Sequence, residues 1–169
     1  MRLLDVPMAG LYPIPTEQAN DLLIRWEHKL GPCRRPFRTE SFALEVSGEL
    51  VAVAMSCSIV HGPVAGYKTQ EVVELARLCA SNKHWNRVMI RLWREVCAPG
   101  YECWRPRAAV SYSHNALHGG EIYRTDGWKK VSSAAGSTGK GGNWGRRGRG
   151  YANEAIHGLK SLWIWEYPQ

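Results

Sequence analysis

Residues 74–93 read ELARLCASNKHWNRVMIRLW. Extended back to Glu71, the stretch EVVELARL is apolar and rich in β-branched residues, which predicts a strand. Ser81 or Asn82 is a ready N-cap for a helix that runs to about Cys97. On that helix Met89, Leu92, Trp93 and Val96 recur at helical spacing and predict a core face. Arg87, Arg91 and Arg94 line a basic face, and Pro99-Gly100 ends the helix. A strand that turns straight into a helix is the building unit of α/β domains.

Upstream, a helix is predicted from Thr16 to about His28, with Thr16 as its cap and Glu17 at the positive end of its dipole. Ala19, Leu22, Leu23 and Trp26 give it one apolar face, and Gly31 and Pro32 stop it. Residues 41–60 read as a hairpin, SFALEV and LVAVAMSCSIV around a turn at Ser47-Gly48-Glu49. The second arm is apolar on both faces, so it belongs at the centre of a sheet. Downstream come a strand, RAAVSYS, a short helix from Asn115 to Asp126 stopped by Gly127, and a strand starting at Trp128–Val131. A Gly/Ser-rich loop over 132–150 follows, then a last strand, LKSLWIWEY. The pattern predicts one domain over residues 1–169, with a mixed α/β sheet of about six strands.

A length of 169 residues suits one full hydrophobic core, and 44% apolar content is ordinary for a globular protein. No apolar run is long enough to span a membrane, and Asp5 with two early prolines breaks any signal-peptide pattern at the start. Five cysteines without a CxxC pair read as reduced thiols in a cytoplasmic protein. The net charge is +7, and between Lys129 and Asn153 six basic residues occur with no acid. Such a patch attracts phosphates; its plainest alternative is a solvated basic loop.

The element order resembles the fold of the GNAT N-acetyltransferase superfamily. There, a mixed central sheet carries a splayed strand pair, flanked by helices, and the helix after the splayed strand presents its N-terminus to the coenzyme A pyrophosphate. The matching segment here is 74–93, with Lys83, Asn86 and Arg87 where that family has a glycine-rich turn. A narrower resemblance is carried by SYSHNALHGGEIYRTDGW, residues 111–128. Ser111, Tyr112, His118, Gly120, Ile122, Tyr123 and Trp128 match the motif of the phage Mom-type DNA-modification branch. Glu74, Arg77 and Leu78, the Asn82/Lys83 to Asn86-Arg87 helix start, and His28 match it upstream, so the resemblance spans roughly residues 20–130. That branch has an aspartate where this chain has His114.

The resemblance implies acetyl-CoA held by Arg77, Leu78 and Ala80 of the strand and by Asn86 and Arg87 of the helix. It implies Tyr123 as the acid that protonates the departing thiolate, a proton transfer that a phenol can make. Ser111 would bind the thioester carbonyl or orient a base, and Glu74 would serve as a base or pair with Arg77. His28 and His118 would act as bases, or as ligands of the iron that the branch implies. For each residue the structural alternative stands beside the functional one: a packed tyrosine, a capping serine, a strand ion pair, a surface histidine.

Arg146, Arg147 and Arg149 alternate with glycine near Trp144, a composition that can follow a DNA backbone and stack on a displaced base. Three functional expectations follow. The first is a transferase acting on adenine N6 of DNA with acetyl-CoA, giving a carbamoylmethyl-type, anti-restriction modification in a phage-carrying bacterial host. The second is a conventional acetyl-CoA-dependent N-acetyltransferase on a small-molecule or protein amine. The third is a non-catalytic nucleic-acid-binding domain on the same scaffold. None of them calls for a membrane or an obligate protein partner.

Overall fold

The structure, a computed structural model, describes residues 8–35, 38–60, 62–135 and 159–168. Its elements in chain order are β1 (Ala9–Pro13), α1 (Thr16–Arg25), β2 (Glu40–Val46), β3 (Glu49–Cys57), β4 (Val72–Ala80), α2 (Lys83–Leu92), β5 (Ala108–His114), α3 (Glu121–Thr125), β6 (Lys129–Ala135) and β7 (Lys160–Glu166). The strands form one seven-stranded sheet in the order β1-β2-β3-β4-β5-β7-β6. Only β4 and β5 run parallel. Among the described residues no helix is long and apolar enough to cross a membrane.

The expected α/β class and the β2–β3 hairpin are present. Ser47 and Gly48 make the hairpin turn with φ of 53° and 84°, the left-handed pair that matches the twist of its strands. Several elements differ from expectation. A seventh strand exists: AGLYP has no alternating pattern of its own but pairs with β2 from Ala9↔Val46 to Pro13↔Phe42. Pro13 is tolerated because β1 is an edge strand. Helix α1 starts on Thr16 rather than being capped by it, and ends at Arg25. The chain then turns through Glu27 at φ 53°, which leaves His28 outside the helix.

Helix α2 closes with a π-helical turn over Trp93–Cys97. The wider turn shifts the helical phase. Val96 therefore faces out, 58% exposed, while Arg94 is buried at 4%. Arg94 Nε donates to Asp126 Oδ2 at 2.6 Å, and its guanidinium lies 3.7 Å from the centre of the Trp165 ring. The predicted basic face thus loses Arg94 to the interior, where it ties α2 to the end of α3. Helix α3 is also short, because Asn115–Gly120 forms turns rather than helix.

The sheet has a core on each face. Leu44, Ala52, Ala54, Val73 and Leu75 pack on one side against Met89, Ile90 and Trp93 from α2 and against Tyr123, Trp128 and Trp163. Ala43, Val53, Met55 and Cys57 pack on the other side against Ala19, Leu22 and Leu23 of α1. Each fully buried large side chain contributes about 1.5–3 kcal/mol. Gly120 opens α3 at φ 75°, and a Cβ there would fall 2.3 Å from Cζ2 of Trp163. Glycine is thus required twice over at this point of the HGGEIY motif, for the turn and for the ring.

Candidate active site

The site is made by the divergence of β4 and β5. Their parallel pairing runs only from Val72↔Ala108 to Leu75↔Ser111. Beyond that rung β4 continues to Ala80 beside β3, and β5 continues to His114 beside β7. The two strands part there into a notch, and among the described residues the edge of β4 beyond Leu75 has no ladder partner on that side. Within β4 the register against β3 slips between Met55↔Arg77 and Ser56↔Leu75, so Ala76 is the extra residue of a β-bulge. The bulge explains why Leu75 and Leu78, three apart, pack on the same α2 face.

At the apex of the notch three groups are linked. Ser111 Oγ lies 3.0 Å from Leu75 O and 2.9 Å from Tyr123 Oη, all buried. The carbonyl can only accept, so the single Ser111 proton goes to Leu75 O and Tyr123 donates to Ser111 Oγ. The Tyr123 ring is stacked on Trp163 at 5.5 Å and meets Trp128 edge-on at the same separation. Burial raises the Tyr123 phenol, a Ser111 hydroxyl turned to donate to the phenolate would draw it down, and the Glu74 charge adds to the rise. A phenol held in this way keeps its proton at neutral pH.

The remaining expected residues divide between the two faces. Leu78 and Ala80 lie on the α2 face, with Asn86 and Arg87 in the first turns of α2. Arg77 lies on the α1 face instead. Its guanidinium donates to Gly31 O at 3.0 Å, Pro32 O at 3.4 Å and Ala76 O at 2.8 Å. It therefore pins the loop after α1 to β4, which replaces the expected contact with a cofactor phosphate. Glu74 does not pair with Arg77 either: both of its oxygens accept from Arg35, at 2.7 and 2.8 Å. Burial opposes the Arg35 charge, but the bond and the charge of Glu74 outweigh it and raise its pKa.

His28 and His118, 90 residues apart in sequence, come within electrostatic reach of each other. Burial, the Arg77 charge and His118 together hold His28 down to about 4. Its Nδ1 accepts the Leu30 N–H at 3.3 Å. His118 is lowered by burial and by His114. Lys160 pairs in register with His114, and burial lowers its pKa, with Glu74 working against that and Arg77 and Arg35 adding to it. The α1 side of the notch is thus a polar wall with three cations, Arg35, Arg77 and Lys160, around the single carboxylate of Glu74.

Arg35 and Lys160 escaped the sequence reading. Arg35 lies in an irregular GPCRRP segment, and Lys160 on a strand whose pairing with β5 spans 46 residues. Arg146, Arg147 and Arg149, with Trp144, lie outside the described residues.

The donor set bears on the two groups that the resemblance implies. For coenzyme A, α2 offers cationic side chains. A cavity of about 320 Å³ beside them lies between α2 and α3, lined by Arg87, Arg91, Ile122 and Asp126 among others, rather than by β4 or β5. Asn82 caps α2 by accepting the His84 N–H at 3.3 Å. Asn86 Oδ1 is buried with no hydrogen-bond partner among the described residues. For iron the fit is poor. Among the described residues no three His, Cys, Asp or Glu side chains are gathered as a ligand set. His28 and His118 are a pair of imidazoles without a third ligand, and Arg77 beside them repels a cation.

No protein-family model matches the sequence, and no curated protein matches it. Solved structures do match. An acetyltransferase from Bacillus subtilis in complex with CoA aligns over 96% of this chain and 100% of its own, at 9% identity and a TM-score of 0.55. An IAA acetyltransferase from Bacillus cereus aligns over 95% and 100%, at 13% identity and a TM-score of 0.59. A mutant spermidine N-acetyltransferase from Vibrio cholerae aligns over 94% and 93%, at 6% identity and a TM-score of 0.58. At these identities the likeness establishes the fold: the chain has the fold of these acetyltransferases.

Proposed function

We propose that the chain is an acetyl-CoA-dependent N-acetyltransferase acting on an amine. The observation that carries this reading is the notch between β4 and β5, with the Tyr123–Ser111 pair at its apex, in a fold shared with acetyltransferases. The conventional reading thus ranks above DNA modification, because it needs no metal.

Bound acetyl-CoA supplies an acetyl group activated as a thioester. Lys83, Arg87 and Arg91 would hold its phosphates with side chains, in place of a glycine-rich backbone turn. The open edge of β4 offers strand-type hydrogen bonds to an extended chain. Tyr123 holds a proton at its phenol oxygen and can redirect it from Ser111 to a leaving thiolate. His118 stands on the α1 side as the acceptor for the proton of the attacking amine, while neutral His28, whose one lone pair at Nδ1 already takes the Leu30 N–H, keeps only an Nε2–H to donate. Glu74 serves as the counter-ion of Arg35 rather than as the base.

A second reading keeps the donor side and takes adenine N6 of DNA as the amine. What favours it is the cationic wall of Arg35, Arg77 and Lys160, which suits a polyanion. Arg146, Arg147 and Arg149 would then follow the DNA backbone, and the base would have to leave its stack.

Thiol release from acetyl-CoA, followed with polyamines, amino acids and DNA as acceptors, tests both readings. Turnover on a free amine that collapses in Tyr123→Phe supports the first. A heavier deoxyadenosine in plasmid DNA from expressing cells, found by nucleoside mass spectrometry, supports the second. A chain that binds DNA without binding acetyl-CoA would overturn both and leave a non-catalytic nucleic-acid-binding domain.

A further inference from the structure

Cys33 and Cys57 are 24 residues apart in sequence, and their sulfurs are 3.8 Å apart in the core. Cys57 is the last residue of β3, in register with Glu74. Cys33 lies in irregular backbone between α1 and β2. Asn20 holds that backbone from both sides: its Nδ2 donates to Cys33 O at 3.1 Å, and its Oδ1 accepts the Cys33 N–H at 2.8 Å. Thr39 Oγ1 lies 3.4 Å from Cys57 Sγ and 3.3 Å from Arg35 O. Two sulfurs in contact, one on a rigid strand and one on a loop, are placed for bonding.

We propose that Cys33 and Cys57 form a reversible dithiol–disulfide couple, oxidised by hydroperoxides, that clamps residues 31–35 onto the end of β3. The electrostatics assign the two roles. The hydrogen bond from Cys57 draws the Cys33 thiol down to about 6, against the effect of burial, and the Arg35 N–H and the Arg77 and Arg35 charges assist. The same bond and burial push the Cys57 thiol up. The thiolate of the pair therefore forms at Cys33 before Cys57. The thiolate is the nucleophile and the thiol the resolving group.

The chemistry balances in two steps. Cys33 sulfur attacks a peroxide oxygen, the O–O bond breaks, and the departing hydroxide takes a proton to become water. Cys33 is then a sulfenic acid. Cys57 sulfur next attacks Cys33 sulfur, the S–O bond breaks, and the Cys57 proton leaves with that oxygen as a second water. Two thiols and one peroxide become one disulfide and two waters. The sulfurs must close from 3.8 Å to about 2.05 Å, a movement the loop can supply.

Small size selects hydrogen peroxide as the oxidant, since Cys33 is 2% exposed and Cys57 is fully buried. The clamp has a local consequence. Gly31 and Pro32 accept from Arg77, and Arg35 holds Glu74, so the bond fixes the loop that supplies Arg35 to the cationic wall and anchors Arg77. This holds whatever the acceptor is, and whether or not the chain transfers acetyl groups.

The test uses the full reduced chain, exposed to hydrogen peroxide at pH 7, alkylated with N-ethylmaleimide, digested and read by mass spectrometry. The expected product is a Cys33–Cys57 linked peptide that dithiothreitol abolishes. In Cys57→Ser, dimedone should trap a sulfenic acid on Cys33, whereas Cys33→Ser should leave Cys57 unmodified. Wild-type chain in which exposed Cys103 is oxidised while Cys33 and Cys57 stay unlinked would overturn the proposal. So would a link between any other pair. The wild-type result decides alone, so a variant that fails to fold leaves nothing open.

Discussion

Tyr123 Oη sits 2.9 Å from Ser111 Oγ at the last rung that β4 and β5 share. The proposed acid thus lies at the vertex of the notch, and its proton points along a buried chain toward Leu75 O. Tyr123→Phe keeps both tryptophan contacts and removes only the hydroxyl. Acetyl transfer should fall about a hundredfold or more in kcat, with acetyl-CoA binding little changed. Ser111→Ala should fall less, because Tyr123 keeps its proton. A larger loss in Ser111→Ala than in Tyr123→Phe would remove Tyr123 from the acid's role. Steady-state thiol release reads both variants.

Gly120→Ala should be among the most damaging single-methyl additions in the molecule. The new Cβ meets the six-membered ring of Trp163, which is itself stacked on Tyr123, and the residue would be held at φ 75°. Overpacking with left-handed strain costs about 2–4 kcal/mol. Urea unfolding followed by tryptophan fluorescence should show a lower midpoint with an unchanged slope.

Arg94 and Asp126 are each buried to within 5% side-chain exposure and bonded to each other. Removing Asp126 leaves the buried Arg94 to its exposed neighbour Glu95, and removing Arg94 leaves the buried Asp126 to the exposed Arg91. Asp126→Ala and Arg94→Met should each lose about 3 kcal/mol of unfolding free energy. The double variant should lose less than the sum. Additive losses in a denaturant double-mutant cycle would show that the two do not act as a pair.

The depressed His28 pKa sets a pH dependence whose sign is fixed. An unfolded chain protonates this imidazole near 6.5, and the folded chain does so near 4. Between those values the unfolded state binds more protons, so stability falls as pH falls. The contribution is complete above pH 6.5, is lost progressively on acidification, and amounts to roughly 2–3 kcal/mol. His28→Gln should flatten the change in urea midpoint between pH 7 and pH 5. An unaltered slope in that variant would place the titration elsewhere.

Much of the fold was legible because its signals are local. The run from strand to helix at 74–93, the Ser47-Gly48 turn and the glycines of HGGEIY all act within a few residues of themselves. What escaped depends on partners. β1 is a strand only because β2 is beside it, and Arg94 is buried only because a π-turn rotates it toward Asp126. Glu74 finds Arg35 across 39 residues rather than the nearby Arg77. Two registers decided the site. The Ala76 bulge sets Arg77 beside the α1 loop, while the alternation along β5 separates Ser111 from Tyr112 and His114. Residue type singled out most of the candidates, but the face on which each one lies came from strand pairing.

That division between faces has a kinetic meaning. On the proposed reading, acetyl-CoA would meet the face of Leu78, Ala80, Asn86 and Arg87, and the amine the face of His28, Arg35, Arg77 and Lys160. With two doors to one room, neither substrate has to leave before the other arrives. Initial rates measured against both substrates should therefore give intersecting reciprocal lines, the mark of a ternary complex. Parallel lines, the mark of an acylated enzyme, would mean that one doorway serves both.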